Sequence, residues 1–304
     1  MPGARMHPDE LDIDAALVTR LVAAQFPRWA GLPVVRVPSA GTDNAMYRLG
    51  DDLVVRLPRR PGGADQAAKE QRWLPLIAPH LPLPVPVPVA SGTPGEGYGL
   101  PWGVFRWLDG ETVLDAPPTG PAGLADAAVR LGGFVSALRA ADATGGPPSW
   151  RGGPLTDDPG VRAAVRGLAA DGALDARVAT AAWEDALRLP RWSGRPVWLH
   201  GDLLPGNLLT GNGRLSAVID FGGLGVGDPA ADVLAAWAVF TPGTRELFRA
   251  AAGVDDATWA RGRGWALYFG LTAGHEYRTT NPVLAAVAHR TVREALAEYA
   301  GTSS

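Results

Sequence analysis

Three side chains in the middle of the chain have the types and the order that transfer of a phosphoryl group to a hydroxyl requires. Asp202 and Asn207 lie in His200-Gly-Asp-Leu-Leu-Pro-Gly-Asn207, and Asp220 opens Asp-Phe-Gly222. A carboxylate such as Asp202 can accept the proton of the attacking hydroxyl, while amide and carboxylate oxygens are the hard ligands that Mg²⁺ prefers. The order matches the paired pattern H-x-D-L-x-x-x-N and D-F-G, so we predict Asp202 as the base and Asn207 and Asp220 as metal ligands.

His200 is a further candidate in this motif, grouped with the base and expected to orient the loop rather than to transfer protons. The motif must be held by the elements on either side of it. Residues 207–210 and 215–219 are predicted to form a hairpin around a Gly-Asn-Gly turn. In this hairpin Asn207 begins one strand and Asp220 ends its partner, so we expect both side chains to face one metal site.

The rest of the chain divides into a β-rich part and a helical part, with the boundary at residues 107/108. Short β-like runs in the first part and helical spacing of apolar residues in the second indicate this division. In the first part the predicted strands are 34–37, 45–49, 53–57 and 102–107, with helices over 10–26 and 64–77. In the second part the prediction is a strand at 197–199 and helices through 124–138, twice near 160–188, and over 229–240, 243–252, 255–277 and 282–299.

Bulk composition excludes several classes of protein. The 304 residues are 46% apolar and 19% charged, which is typical of a globular chain. The net charge of -3 gives no reason to expect nucleic acid or an anionic membrane as partner. There are no cysteines, hence no thiolate metal site or cysteine nucleophile, and neither a signal-peptide core nor a membrane-spanning apolar run is present. We therefore expect a cytoplasmic protein.

Three segments carry a resemblance to a known family. They are Trp198-Leu-His-Gly-Asp-Leu-Leu-Pro-Gly-Asn-Leu-Leu209, Val218-Ile-Asp-Phe-Gly222 and Gly227-Asp-Pro-Ala-Ala-Asp232. Together they resemble the aminoglycoside phosphotransferase family, and the resemblance covers about residues 30–300. It implies an α+β, two-lobed protein-kinase-like fold with a β-rich N-terminal lobe and a mainly helical C-terminal lobe.

The resemblance also implies how the lobes are used. Residues 1–107, including the N-terminal helix, would be the nucleotide-binding lobe, and residues 108–304 would hold the catalytic loop and the substrate site. The partners would be a nucleoside triphosphate, ATP or GTP, with Mg²⁺, and a small-molecule hydroxyl acceptor. Asp232 would brace the catalytic loop, while Asp228 would cap the following helix.

The nucleotide end departs from the kinase pattern, which places a lysine on a strand and pairs it with a helix glutamate. The only lysine, Lys69, lies inside the predicted helix 64–77 and is adjacent to Glu70. We predict that Arg56, in Val54-Val-Arg-Leu57, takes the lysine's place with Glu70 as its partner, because a guanidinium can grip phosphate and carboxylate together. The alternative is that Arg56 is only a charge on a strand face.

Two further segments are candidates for nucleotide contacts. The turn between the first two strands would cover the phosphates, although it has one glycine where the kinase pattern has three; a plain polar hairpin is the alternative. The strand ending at residue 107 would meet the base through backbone groups, or would simply be a buried strand. The predicted nucleotide-binding residues of these segments are Ser39, Gly41, Thr42, Asn44, Phe105 and Trp107.

The acceptor is expected to be a small molecule. Only seven residues separate Asp220 from Asp228, which leaves no room for an activation segment, and Leu204 stands where protein kinases usually carry lysine. An aminoglycoside-like antibiotic is the first expectation, in a resistance or tailoring enzyme. The alternatives are a macrolide, another metabolite such as an amino sugar, a choline-like alcohol or homoserine, and, in a different class, a nucleotide-binding pseudokinase.

We expect the helical part of the chain to bind the acceptor. From Asp228 onward the chain has eight acidic residues and seven arginines, so this part is not strongly acidic, as binding of a polycation would favour. Aromatic side chains in this part could line a pocket or could belong to the core. The candidate substrate residues are Asp232, Trp237, His275, Glu276 and Tyr277.

Overall fold

The structure, a computed structural model, describes residues 10–37, 44–156 and 159–302. The α-helices are α1 Ala15–Gln25, α2 Gly63–Ile77, α3 Gly120–Ala140, α4 Pro159–Ala170, α5 Ala176–Arg188, α6 Ala230–Val233, α7 Ala235–Ala238, α8 Pro242–Ala252, α9 Asp256–Glu276 and α10 Pro282–Thr302. The strands are β1 Val34–Arg36, β2 Asn44–Leu49, β3 Leu53–Pro58, β4 Pro88–Gly92, β5 Trp102–Arg106, β6 Glu111–Thr112, β7 Val197–Leu199, β8 Leu208–Gly211, β9 Arg214–Val218 and β10 Gly225–Gly227. Two compact units contain these elements: residues up to 79 with 84–109, and residues 80–83 with those from 110 onward.

The first unit is built on an antiparallel sheet in the order β1-β2-β3-β5-β4. Every residue of β3 is buried, including Arg56, which lies opposite Gly103 of β5. Helix α1 contributes Val18 and Leu21 to the core beneath this sheet, together with Tyr47, Val55 and Trp102. A buried central strand is therefore what carries the candidate phosphate-binding arginine.

The first unit differs from the prediction in where its first helix begins and in having one additional strand. The helix predicted from residue 10 begins at Ala15, because the carboxylate of Asp14 accepts the backbone N–H of Leu17 at 2.7 Å and so caps the helix there. The strand that the prediction lacks, β4, follows prolines at positions 82, 84 and 86 and itself begins with Pro88, and it lies at the edge of the sheet. Proline is tolerated at an edge because it has no N–H to offer a second neighbour.

The second unit is mainly helical, with a small sheet in the order β6-β8-β9 and the pair β7-β10 beside it. Helix α3 packs on α8, and α9 packs on α10. The first of these pairs approaches closely at Gly132, where a Cβ atom would lie 2.7 Å from the Phe248 carbonyl oxygen. The β-rich unit and the helical unit confirm the predicted α+β, two-lobed fold class.

The single helix predicted over 229–240 is two short helices, α6 and α7, and that part of the prediction was wrong. Backbone bonds of the tighter i to i+3 kind, from Asp232 N–H to the Pro229 carbonyl and from Trp237 N–H to the Leu234 carbonyl, interrupt the regular α-helical ladder.

Among the described residues, no helix is long and apolar enough to cross a membrane.

A buried ion-pair network ties α10 to α7 and α8. Arg245, 4% exposed, donates from Nε to the Ala236 carbonyl oxygen at 3.1 Å and pairs with both Glu294 and Glu298. Glu298 also accepts the indole N–H groups of Trp237 and Trp259, each at 3.0 Å. Removal of the arginine would take the paired cation from Glu294 and one of two cations from Glu298, which would keep Arg263 at 3.6 Å.

We expect Arg245→Gln to lower the free energy of unfolding by about 3 kcal/mol, since breaking a buried ion pair from one side is strongly destabilising. Urea denaturation followed by tryptophan fluorescence measures this change. The matched control is Arg214→Gln, which removes a pair with Asp126 at an arginine side chain that is 62% exposed and should change stability by less than about 1 kcal/mol. Equal effects of the two substitutions would contradict the structural role of Arg245.

Candidate active site

The loop that carries the opening motif is held by one buried carboxylate. Strand β7 delivers the chain to His200, whose backbone N–H donates to Asp232 Oδ2 at 2.8 Å, while the N–H of Gly201 donates to Oδ1 at 2.7 Å. Burial raises the pKa of the Asp232 carboxyl, whereas these two N–H donors favour its charged form. Gly201 has φ of +80°, and a Cβ there would lie 2.8 Å from the Gly223 carbonyl oxygen, so the loop requires glycine at this position.

His200 is fully buried and both of its ring nitrogens are engaged. Nδ1 accepts the backbone N–H of Asp202 at 3.1 Å, and Nε2 lies 3.0 Å from the Ile219 carbonyl oxygen. Because a carbonyl oxygen can only accept, Nε2 carries the proton and the ring is neutral. The ring therefore ties the Asp202 loop to the strand before Asp220, and it is placed to orient the loop rather than to exchange protons.

Asp202 and Asn207 are in direct contact. The Asn207 amide nitrogen donates to the Asp202 carboxylate Oδ2 and to the Asp202 backbone carbonyl, both at 2.9 Å. The backbone N–H of Asn207 donates to the Leu204 carbonyl, which closes the turn at 205–207. The two side chains that the motif predicts to cooperate are thus joined within one tight loop.

Asp220 is brought beside Asn207 through the backbone. Strands β8 and β9 pair with Leu208 opposite Val218, and the N–H of Ile219 donates to the Asn207 carbonyl at 2.9 Å. Both candidate ligands lie just outside the paired strands, so the predicted hairpin limits were slightly too wide. Asp220 has φ of 63° and ψ of 72°, a left-handed conformation that is uncommon for a residue other than glycine and is enriched at functional sites.

The donor set suits a hard divalent cation. Because the Asn207 nitrogen faces Asp202, its amide oxygen is the group left for a cation, and Asp220 adds a carboxylate. Among the residues described, no group of three or more His, Cys, Asp and Glu side chains could hold a metal ion. Mg²⁺ does not need such a cage, since it commonly takes one or two protein oxygens and completes its shell with phosphate and water.

Arg151, which lies outside the motif, is in direct contact with Asp202. Its Nη1 donates to the Asp202 carboxylate Oδ1 at 2.7 Å and to the Gly201 carbonyl at 2.6 Å. A lone arginine in a loop, about fifty positions before the motif, offers no periodic or spacing signal, so reasoning from the sequence missed it. Only the folded chain places it at the carboxylate.

In the first unit the structure brings Arg56 and Glu70 together. Arg56 donates from Nη1 to Oε2 of Glu70 at 2.6 Å and from Nη2 to Oε1 at 3.3 Å, with both residues buried. The guanidinium carbon lies 5.0 Å from the ring centroid of Phe105. Two parallel N–H···O bonds and an aromatic face hold the arginine in one orientation.

Of the other predicted nucleotide-binding residues, three fall outside the described residues and two lie in or beside the sheet. Ser39, Gly41 and Thr42 lie outside the described residues. Asn44 is the first residue of β2, opposite Pro58. The backbone N–H of Trp107 donates to the Asp52 carbonyl at 2.8 Å, so this N–H is already used within the unit and is not open to a nucleotide base.

Two candidate substrate residues belong to the interior. Asp232 is 2% exposed and both of its carboxylate oxygens hold the loop; Trp237 is fully buried, with its indole N–H on Glu298. Neither side chain is accessible to an acceptor, and we withdraw both as substrate contacts. The remaining three lie at the C-terminal end of α9 and just beyond it, with Glu276 exposed and His275 and Tyr277 half-buried.

A two-lobed fold with this loop and hairpin is that of a kinase-like phosphotransferase. The model of the phosphotransferase enzyme family APH matches residues 34–265, and the chain belongs to this family. Among curated protein sequences, none matches the chain significantly.

Solved structures agree with this fold. The chain is similar to the GDP complex of wild-type aminoglycoside 2'-phosphotransferase-IIIa (20% identity, 94% of this chain and 100% of the other, TM-score 0.70). It is also similar to a ternary complex of aminoglycoside phosphotransferase APH(4)-Ia with AMP-PNP and hygromycin B (20% identity, 93% and 99%, TM-score 0.59). A third similar structure is macrolide 2'-phosphotransferase MphH from Brachybacterium faecium (27% identity, 92% and 97%, TM-score 0.58).

Proposed function

We propose that this protein transfers the γ-phosphoryl group of a nucleoside triphosphate to a hydroxyl group of an antibiotic-like small molecule. The proposal rests on the contact between Asp202 and Asn207, together with the hydrogen bond from the N–H of Ile219, the residue before Asp220, to the Asn207 carbonyl. Phosphoryl transfer needs a group that accepts the hydroxyl proton and oxygen ligands for a cation, side by side. These three residues supply that combination in the order that the family pattern expects.

In this proposal Asp202 orients the acceptor hydroxyl and accepts its proton as the oxygen attacks phosphorus. Asn207 holds the carboxylate through its nitrogen and offers its oxygen to Mg²⁺ together with Asp220. When bound, the cation would neutralise charge on the phosphate oxygens. His200 and Asp232 keep the backbone of the loop in register, so that the base and the ligands need no rearrangement during transfer.

An aminoglycoside is the first acceptor to test. Two of the similar structures cited above are aminoglycoside phosphotransferases, at identities that establish the fold alone. Guanine nucleotide is present in one and an adenine nucleotide analogue in the other. Both ATP and GTP are therefore candidate donors for this chain.

A macrolide is the second candidate, and the pairing of the acidic side chains favours it. Of the eight acidic residues from Asp228 onward, six have a partner within the fold: Asp228, Asp232, Asp255, Asp256, Glu294 and Glu298. A polycationic acceptor would need carboxylates that are not already used. The match to MphH at 27% identity points the same way.

The experiment is a nucleotide-consumption screen of the purified protein with Mg²⁺, with ATP and GTP in parallel, against aminoglycosides, macrolides, amino sugars, choline-like alcohols and homoserine. We expect acceptor-dependent release of the nucleoside diphosphate, with the phosphorylated acceptor seen by mass spectrometry. A macrolide-only response would select the second candidate. Nucleotide binding without transfer to any acceptor would instead favour a pseudokinase, which the intact Asp202, Asn207 and Asp220 argue against.

Arg56 is proposed to bind a phosphate of the nucleotide, and Arg56→Ala should raise the nucleotide KM by roughly 10-fold to 100-fold. That range corresponds to the loss of one charge-assisted hydrogen bond, about 1.5–3 kcal/mol. Steady-state kinetics with varied nucleotide measures it, with thermal unfolding in parallel because Glu70 would lose its partner. The matched control is Arg36→Ala, an exposed arginine of β1. An unchanged nucleotide KM in a folded Arg56→Ala protein would remove Arg56 from the proposed site.

A further inference from the structure

We infer that Arg151 is a positioning residue for Asp202, and that the segment 147–152 holds the Asp202 loop and the chain after Asp220 in one register. The inference deepens the proposed function and rests on it. Arg151 has no acceptor atom and stays charged, so it cannot take the hydroxyl proton itself. Its action is on the orientation of the carboxylate.

The Asp202 carboxylate is held from two sides. Oδ1 accepts from Arg151 Nη1 at 2.7 Å, and Oδ2 accepts from the Asn207 amide at 2.9 Å. One donor on each oxygen defines the plane of the carboxylate, which a single donor would leave free to rotate. Arg151 Nη1 also donates to the Gly201 carbonyl at 2.6 Å, so the same group holds both the side chain and the backbone of the loop.

Arg151 is itself fixed in place. Its side chain is 11% exposed, and its guanidinium carbon lies 4.2 Å from the ring centroid of Trp150. The backbone N–H of Arg151 donates to Ser149 Oγ at 3.3 Å. A guanidinium with stacking on one face and hydrogen bonds at its tip loses little further freedom when a substrate binds. The donor is therefore already in place before the reaction.

The same segment reaches the chain that follows Asp220. Ser149 Oγ donates to the Gly223 carbonyl at 2.9 Å. The N–H of Ser149 donates to the Val226 carbonyl, and the N–H of Val226 donates to the Pro147 carbonyl, at 3.0 and 2.8 Å. Residues 147–149 thus add a short ladder to β10, while Arg151, two positions further on, holds Asp202.

One short segment therefore contacts both loops that the proposed reaction uses. Gly152 permits this close approach, since a Cβ there would lie 2.8 Å from the Val226 carbonyl oxygen. If Arg151 is removed, Asp202 keeps its chemistry but loses one of its two constraints. A misplacement of about 1 Å in a reacting group can reduce the rate of the chemical step about 100-fold.

The test compares Arg151→Ala with wild type in the acceptor-dependent transfer assay. We expect kcat to fall by about 100-fold with the nucleotide KM unchanged, because the interaction acts on the chemical step and not on nucleotide binding. Guanidinium chloride at low millimolar concentration should restore part of the lost kcat in Arg151→Ala and should have no effect on wild type. A residue needed only for folding would not give this rescue.

Two further variants keep the test decisive. Arg151→Lys retains the charge but lacks the fork, so it should fold and show an intermediate kcat. In an Asp202→Asn background, Arg151→Ala should cause little further loss, since the two residues act as one unit. Arg245→Gln is the stability control and should leave kcat unchanged.

Wild-type protein that transfers phosphate to no acceptor would overturn the proposed function, and this inference with it. Active wild type with an equally active Arg151→Ala would overturn this inference alone. It would also be overturned if Arg151→Ala raised KM and left kcat unchanged. The same holds if Arg151→Ala lowered kcat as much in the Asp202→Asn background as in wild type and guanidinium chloride restored none of it.

Discussion

Replacing Asp202 by alanine is expected to lower kcat for phosphoryl transfer by roughly 10²-fold to 10⁴-fold, the usual contribution of a general base. Nucleotide binding should persist, because the candidate phosphate-binding arginine, Arg56, is in the other unit of the fold. Steady-state kinetics on the acceptor found in the screen measures the first effect. Equilibrium binding of a fluorescent nucleotide measures the second.

Asp202→Asn sharpens this experiment because asparagine has nearly the same shape as aspartate. It can keep one hydrogen-bonded oxygen toward Arg151 or Asn207 while losing the ability to accept a proton. Its kcat should therefore be close to that of the alanine variant. The control, Asp126→Ala, removes a half-buried carboxylate of α3 that pairs with Arg214, and it should leave kcat at the wild-type value. An Asp202→Asn protein with wild-type kcat would exclude Asp202 as the base.

The second large effect is expected at Asp220. Asp220→Asn should reduce kcat by about 10³-fold and raise the Mg²⁺ concentration needed for half-maximal rate, because metal stabilisation of transition-state charge is worth several kcal/mol. Asparagine is preferred to alanine for this test. Asp220 has a left-handed backbone, which asparagine tolerates and which would cost alanine roughly 1–2 kcal/mol of strain.

A matched position separates backbone strain from metal binding. Asn212, in the turn between β8 and β9, has φ of 52°, so Asn212→Ala introduces comparable strain in the same hairpin without touching a candidate ligand. It should lower the unfolding midpoint and leave the Mg²⁺ dependence unchanged. Titration of the rate with Mg²⁺ for both variants makes the comparison. A normal Mg²⁺ requirement in Asp220→Asn would remove Asp220 from the proposed metal site.

The parts of the fold that sequence reasoning predicted well are those with local signals. Sequence reasoning located both long C-terminal helices, α9 and α10, to within a few residues. The Gly-Asn-Gly turn is a signal between adjacent residues, and it located the hairpin of β8 and β9. The division of residues 229–240 into two helices has no such signal, since it depends on backbone bonds that form only when the segment packs.

The residues of the candidate site likewise fall into those that sequence reasoning could predict and those that it could not. The motif places Asp202, Asn207 and Asp220 in order along the chain, and because the only lysine lies inside a helix, Arg56 of the third strand is the candidate for the phosphates. Trp237, by contrast, looked as suitable for a substrate pocket as any aromatic residue. Its complete burial follows from packing against Trp259, with ring centroids 4.8 Å apart, which its neighbours in sequence do not indicate.

By itself the sequence determined the family, the α+β class and the order of the groups proposed for phosphoryl transfer, because a motif is a relation between residues close together in the chain. The family resemblance implied that Asp232 braces the loop, but only the tertiary structure shows that it uses both carboxylate oxygens. The tertiary structure alone also decided that both ring nitrogens of His200 are engaged and that Arg151 contacts Asp202. These contacts join segments separated by up to about fifty residues. Only the packing of the helical unit fixes which distant donor meets which acceptor.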